Sequence, residues 1–250
     1  MAWYPGAKKM ELQPESDAQP AIRPTQFIMH SIAAPWTKER IYEYWRDSTN
    51  LESHFGQSYD GSIAQYVGTQ TRADANYLAN RRPDGTGAVS IETASNLQHT
   101  DPWTNAQVEQ LIRLGVWLHR HHGIPLRICR TADDPGYGYH RLHAAWAVSG
   151  TACPGDARVK QFKTKVFPGI VARATQPPEE DDVALTDAEI KKIVDKVWAQ
   201  RITSPTADPK AGDPTRAAST FLAYQDKFQQ TLIERLDRIE AELKALREGR

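Results

Sequence analysis

The chain has 250 residues, 40% of them hydrophobic, which is enough for one domain with a substantial core and for additional segments. Its 31 lysines and arginines balance its 31 aspartates and glutamates, so it lacks the basic excess of a general nucleic-acid-binding protein. No apolar run reaches the roughly 18 residues of a membrane span. Two cysteines are too few for a disulfide scaffold of this length.

The N-terminal segment, residues 1 to about 24, is polar and contains prolines, and we expect an irregular arm there. No apolar stretch follows its first charges, so the segment does not resemble a secretory signal. We expect synthesis in the cytoplasm, with any action outside the cell depending on another protein for release.

The first regular elements are a strand, a helix and a hairpin. Residues 26–32 are apolar and β-prone, which predicts a buried strand ending near His30. Residues 37–47 have helical composition, and Thr37 suits the N-cap. Residues 58–67 contain an Asp-Gly pair followed by an alternating segment, which predicts a β-hairpin.

The next segments predict a strand, a long helix and another strand. Residues 84–93 supply a glycine-bearing turn and then a strand that ends at Glu92. Residues 104–123 repeat apolar positions at spacings of three and four and end with Gly123, which suits a helix C-terminus. Residues 125–130 predict a further strand. Strands separated by helices predict an α/β fold, a mixed sheet with packed helices.

The composition changes after about residue 175, and a helical C-terminal tail is predicted. Residues 176–185 form an acidic linker, 186–201 a short amphipathic helix and 202–216 a flexible linker. Residues 217–250 carry leucines and isoleucines at heptad spacing, which predicts a short coiled coil and a homo-oligomer. The alternatives are a helix docked on its own domain, a helical hairpin, or a wall-binding segment.

The chain has eight histidines, and most of them have an ordinary structural interpretation. His119, His121 and His122 lie at the end of the long helix, where we expect a solvated helix terminus. His99 lies in a polar loop and is expected to face solvent. His54 precedes the hairpin, where it can line a cleft or pack in the core.

His30, His140 and Cys153 form a different combination. Two imidazoles and a thiol suit zinc, and a catalytic zinc site needs three protein ligands and one open position. More than 100 residues separate the first of these from the others, so their spacing alone leaves the metal open. The remaining cysteine, Cys129, lies in an apolar run and is expected to be a small buried hydrophobe.

Five segments, in this order, resemble the zinc-dependent N-acetylmuramoyl-L-alanine amidases of the type shared by phage endolysins and peptidoglycan recognition proteins. They are FIMHSIAAP, SHFGQSYDGSIAQYV, GAVSIET, GYHRLH and SGTACPGDARV, within about residues 22–172. The resemblance implies a catalytic domain over residues 1–175, zinc (Zn2+) as cofactor and peptidoglycan as substrate.

The resemblance also implies a role for each matching residue. His30, His140 and Cys153 correspond to the zinc ligands. Glu92 corresponds to the general base that moves a proton from water to the leaving amine. Thr151 corresponds to a residue that polarises the scissile carbonyl.

Three departures from the family pattern affect this assignment. Ser53 stands where many members have a catalytic tyrosine, which moves the base role toward Glu92. The segment after His140 is longer than in compact members, so His143 is a rival second ligand, with His140 favoured.

The third departure is the loop at residues 71–82. It reads TRADANYLANRR in place of a Trp-His-Ala element. We expect remodelled substrate contacts there through Asn76 and Asn80, with His54 as a further substrate-binding residue.

The implied reaction is hydrolysis of the amide between N-acetylmuramic acid and L-alanine. The leading interpretation is a phage or prophage endolysin that reaches the wall through a holin-type route. One alternative is a non-catalytic peptidoglycan-binding recognition module, which the presence of Cys153 disfavours. The other is a bacterial amidase that recycles soluble muropeptides. No resemblance covers residues 180–250.

Overall fold

The computed structural model describes residues 2–47, 51–176 and Leu236. All of them except Leu236 belong to one compact unit, Met1–Val183. The expected short helix and second linker, and nearly all of the acidic linker and of the heptad helix, lie outside the described residues. Within the described ranges, no helix is long and apolar enough to cross a membrane.

Six strands form one mixed sheet within the described residues. In chain order they are β1 (Lys8–Lys9), β2 (Arg23–Ser31), β3 (Phe55–Gln57), β4 (Ile63–Gln65), β5 (Thr86–Thr93) and β6 (Gly136–Tyr139). Their spatial order is β1-β4-β3-β5-β2-β6. The hairpin β3–β4 is antiparallel, and the other neighbouring pairs are parallel. The mixed sheet with packed helices is therefore confirmed.

The helices surround this sheet. In chain order they are α1 (Glu15–Ala18), α2 (Lys38–Asp47), α3 (Asn105–His122), α4 (Asp156–Gln161) and α5 (Phe167–Ala174), with a π-helical turn at Phe162–Val166 between the last two. The long helix α3 begins with a capping box between Thr104 and Gln107. It ends at Gly123, whose φ of 70° is the left-handed conformation that glycine adopts without strain.

Strand β2, which lies between β5 and β6, contributes to two core clusters because successive side chains point to opposite faces of a sheet. Phe27 and Met29 belong to the main cluster, which also contains apolar residues of α3 and α5. Ile28 belongs to a smaller cluster that also contains Trp146. His30 continues the face of Ile28, so the sheet directs this imidazole away from α3. Both clusters anchor β2, whose carboxyl end carries His30.

The expectation of an irregular N-terminal arm is wrong in part. Both β1 and α1 lie within it. Leu12 is buried in a cluster with Ile41 and Trp45 of α2, so the arm covers the β4 edge of the sheet. Burial of a leucine side chain contributes about 1.5–3 kcal/mol, which offsets part of the entropy lost on ordering the arm.

The strand expected at residues 125–130 is also wrong. Ile128 makes only an isolated bridge to Tyr137 of β6. The side chain of Asp134 pairs with Arg127 and Arg130 and accepts a hydrogen bond from the backbone N–H of Arg130. These contacts fold the segment back as a loop, so it cannot extend along the sheet.

Helices α4 and α5 had no counterpart among the predicted elements. Phe162 and Val166 of the intervening π-helical turn and Ile170 of α5 recur at a spacing of four and are fully buried. Gly115 of α3 permits close approach, because a Cβ there would lie 2.4 Å from Ile170 Cδ1. This spacing of four between apolar residues is visible in the sequence, but no helix was predicted from it.

Candidate metal centre

The register of the sheet places His30 beside Glu92. β2 and β5 run parallel, and these two residues are direct neighbours near the carboxyl ends of their strands. The Nδ1 atom of His30 lies 3.5 Å from Oε1 of Glu92. Ligands of open α/β sheets bind outside the carboxyl ends of strands, so this edge is a natural position for a site.

His140 reaches the same edge from β6. Tyr139 is the last residue of β6 and is paired with Met29, so His140 follows next to His30. The two imidazole rings are 4.1 Å apart between centroids. The rival ligand His143 turns away, because its Nε2 hydrogen-bonds to the backbone oxygen of Cys129 at 3.0 Å.

Cys153 approaches from the loop that precedes α4. Its Sγ accepts a hydrogen bond from the backbone N–H of Ser31 at 3.1 Å. Gly155 closes this turn with a φ of 95°, and a Cβ there would lie 1.7 Å from the backbone oxygen of His99. A glycine is therefore required at this position to keep the cysteine against β2.

The ligand atoms of His30, His140 and Cys153 all lie within 4.8 Å of one another. Bonds of about 2.0–2.3 Å to one zinc ion require spacings of about 3.3–3.8 Å, so shifts of about 1 Å close the cluster. His30 is 1% exposed and Cys153 is 6% exposed, so protein atoms hold the donors in place. Two imidazoles and a thiol therefore fit zinc in both number and type.

The electrostatics of the cluster favour a cation. Burial and the nearby charge of Glu92 raise the pKa of the Cys153 thiol. Burial also raises the pKa of Glu92 to about 8, against the opposing charge of Arg158. Burial lowers the pKa of both His30 and His140, which keeps the imidazoles neutral. A divalent cation would favour the thiolate and carboxylate, which this site otherwise disfavours.

Arg158 is a buried cation behind the site that sequence reasoning missed. Its guanidinium donates to Thr93 Oγ1 and to the backbone oxygen of Ala94, both at 2.8 Å. It also pairs with Asp101 at 2.9 Å. These bonds fix the chain just after Glu92, and the only sequence signal was its place in the CPGDAR segment.

His99 was expected to face solvent, and this is wrong in part. Its Nδ1 hydrogen-bonds to Oγ of Ser31, the residue whose backbone contacts Cys153. The polarity of the loop gave no indication of this contact, because it depends on how the loop folds over β2.

A groove of about 430 Å³ extends from the cluster. His140 and Thr151 lie at the cluster end of this groove, and Asn80 and Arg72 also line it. Oγ1 of Thr151 accepts a hydrogen bond from the backbone N–H of Cys153 at 3.0 Å. A hydroxyl that accepts this hydrogen bond can still donate a hydrogen bond to a bound molecule.

Of the three residues expected to contact substrate, only Asn80 lies on this groove. His54 is 0% exposed, with Nε2 at 2.9 Å from the backbone oxygen of Thr71, and its pKa is lowered to about 4 by burial. That position does not permit substrate contact. Asn76 is 0% exposed and contacts His30 instead.

The fold and site together define an α/β domain with a buried cluster of two histidines and one cysteine at a strand-end groove. A model of the N-acetylmuramoyl-L-alanine amidase family matches residues 20–156, more than half of the chain. The chain belongs to this family, whose members hydrolyse the amide between N-acetylmuramic acid and L-alanine in peptidoglycan.

The chain was also compared with solved structures, and the one below with a TM-score above 0.5 is similar to it in fold. A structure of a point mutant of PlyL is 12% identical, with a TM-score of 0.51 over 66% of this chain and 98% of that chain. The N-acetylmuramoyl-L-alanine amidase LysC from Clostridium intestinale URNW is 17% identical, with a TM-score of 0.46 over 65% and 97%. An AmpD derivative is 18% identical, with a TM-score of 0.47 over 66% and 96%. No curated protein sequence matched the chain.

The two candidate second ligands can be separated by mutation. We expect His140→Gln to lose bound zinc, because its ring faces His30. We expect His143→Gln to keep about one zinc ion per chain, because its ring bonds to the backbone near Cys129. Metal analysis of the two purified variants is the measurement. Zinc retained by His140→Gln and lost by His143→Gln would reverse the assignment.

Proposed function

We propose that this chain is a zinc-dependent amidase of the endolysin type, in which His30, His140 and Cys153 hold the metal. The observation that carries the proposal is the convergence of these three donors within 4.8 Å, beside Glu92. Retention of Cys153 disfavours the alternative of a recognition module that binds peptidoglycan without cleavage. The endolysin setting rests on the resemblance of segments such as CPGDARV.

Zinc in this site would polarise the scissile carbonyl and lower the pKa of an attacking water. Glu92 is the group placed to accept a proton from that water. Its side chain is 14% exposed, and its Oε2 has no hydrogen-bond partner among the described residues. This buried oxygen lacks the hydrogen bond that a water in the site would supply.

The reaction forms a bond from the water oxygen to the lactyl carbonyl carbon and breaks the C–N bond to L-alanine. Glu92 takes the water proton and delivers it to the departing amine. Thr151, at the cluster end of the groove, can donate a hydrogen bond from its hydroxyl to the carbonyl oxygen as negative charge develops there. The groove is expected to hold the stem peptide in register with these groups.

The test is product analysis after incubation of purified peptidoglycan with the full chain. We expect free stem peptides with new L-alanine amino termini and no new reducing sugar ends, because only the lactyl amide is cut. Addition of a strong chelator should stop the release, and zinc should restore it. Release of reducing ends, or of peptides cut within the stem, would contradict the proposed function.

A further inference from the structure

Asn76 lies beneath the candidate metal centre, on a loop whose contacts were expected to be with substrate. It is 0% exposed. Its Oδ1 atom lies 2.8 Å from Nε2 of His30, and its backbone N–H donates to Oδ1 of Asn80 at 2.6 Å. The loop is thus tied to itself and to one imidazole.

This contact selects which nitrogen of His30 can bind a metal. A neutral imidazole has one N–H and one lone pair, and a carbonyl oxygen such as Oδ1 can only accept. Nε2 therefore carries the proton, and the lone pair is on Nδ1, which is the nitrogen beside Glu92. An amide oxygen on a ligating histidine is a typical outer-shell contact.

His140 is held in the same way by a different group. Its Nε2 lies 3.0 Å from the backbone oxygen of Trp146, which again can only accept a hydrogen bond. Both imidazoles then present Nδ1 as the free nitrogen. The agreement between two unrelated acceptors indicates that the outer shell is arranged for metal binding.

Stability alone does not explain an asparagine at this position. Its Nδ2 is buried and has no hydrogen-bond partner among the described residues. A buried donor without a partner destabilises a fold, whereas an apolar side chain of similar size would not leave one. The amide oxygen is the part of the side chain that has a defined contact.

We propose that Asn76 is a positioning residue that orients His30 with Nδ1 toward the metal. The inference rests on the proposed zinc site but goes beyond the ligand set. Asn76 acts through His30 and does not touch substrate. The loop therefore orients a metal ligand through Asn76, while Asn80 on the same loop lines the groove.

The test measures zinc affinity by competition with a chromogenic chelator, using the full chain. We expect Asn76→Leu and Asn76→Ala to weaken zinc binding about 10–100-fold, the usual effect of losing an outer-shell partner. Asn76→Asp should restore affinity, because a carboxylate also accepts from Nε2. With cobalt in place of zinc, the absorption spectra of Asn76→Leu and Asn76→Ala should differ from that of the wild type. The spectrum of Asn76→Asp should match the wild type.

Gln26→Leu is the matched control, because it removes another fully buried amide from β2 with no contact to His30. It should lower thermal stability but leave zinc affinity and the cobalt spectrum unchanged. Wild-type affinity in Asn76→Leu and Asn76→Ala, or equal losses in Gln26→Leu, would overturn the positioning role alone. Absence of zinc binding in the wild type would overturn the proposed metal site as well.

Discussion

Replacing Cys153 with alanine is expected to abolish stoichiometric zinc binding and peptidoglycan cleavage together. Cys153 is the only sulfur donor in the cluster and is held against Ser31 of β2. Loss of a direct ligand should reduce zinc affinity by more than the roughly 10–100-fold typical of outer-shell changes. The measurements are zinc content after dialysis and release of stem peptides.

Cys129→Ala is the control for this experiment, since it removes the other cysteine. Cys129 is buried among Ile28, Ala88 and Trp146, where burial raises its pKa to about 12, and it is outside the cluster of donors formed by His30, His140 and Cys153. We expect Cys129→Ala to lose about 1 kcal/mol of folding stability. It should retain both bound zinc and activity. Loss of zinc in Cys129→Ala, or full activity in Cys153→Ala, would contradict the ligand set.

The pH dependence of zinc binding follows from the thiol of Cys153. Because burial raises the pKa of Cys153, the thiol is protonated at neutral pH without metal, and zinc must displace that proton. Loss of the thiol proton alone should make the apparent affinity rise by at least roughly tenfold per pH unit, and protons should be released on binding. A pH-independent affinity would exclude the thiolate as a ligand.

The second large effect is expected for Glu92→Gln. The substitution keeps the shape of the side chain but removes the proton acceptor, so kcat should fall by about 100- to 10,000-fold. KM should change little, because the stem peptide is held in the groove. Zinc content should be retained, because Glu92 lies outside the cluster of donors.

Glu109→Gln is the matched control for Glu92→Gln. Glu109 lies on α3 and pairs with Arg173 at 2.7 Å, away from the groove. It should have wild-type kcat with a small change in stability. Zinc lost from Glu92→Gln would show that the glutamate is needed for the metal, and unchanged kcat would exclude it as the base.

The elements of the sheet were predictable where local patterns were strong. Alternating and apolar runs gave β2, the β3–β4 hairpin and β5, and the spacing of apolar residues together with Gly123 gave α3. The segment around Cys129 was wrongly predicted as a strand, because its apolar composition resembles one. The ion pairs of Asp134 that fold it back involve side chains whose pairing no local pattern specifies.

The candidate donors were predictable only through the resemblance of their segments to an amidase family. His30, His140 and Cys153 come from three separate parts of the chain, and composition alone gave no reason to group them. Their approach depends on the parallel pairing of β2 with β5 and β6, which is a long-range register. The same register placed Glu92 next to His30.

By itself, the sequence determined the types of donor available, the balanced charge and the periodicities that form the main strands and the long helix. Only the tertiary structure decided which histidines meet, that His54 is buried, and that Asn76 contacts His30. The physical reason is that residue types, and the spacing of apolar residues that forms a helix or strand, can be read from one short stretch of the sequence. Contacts across a sheet instead depend on the register in which distant strands pair and on the loops packed over their ends.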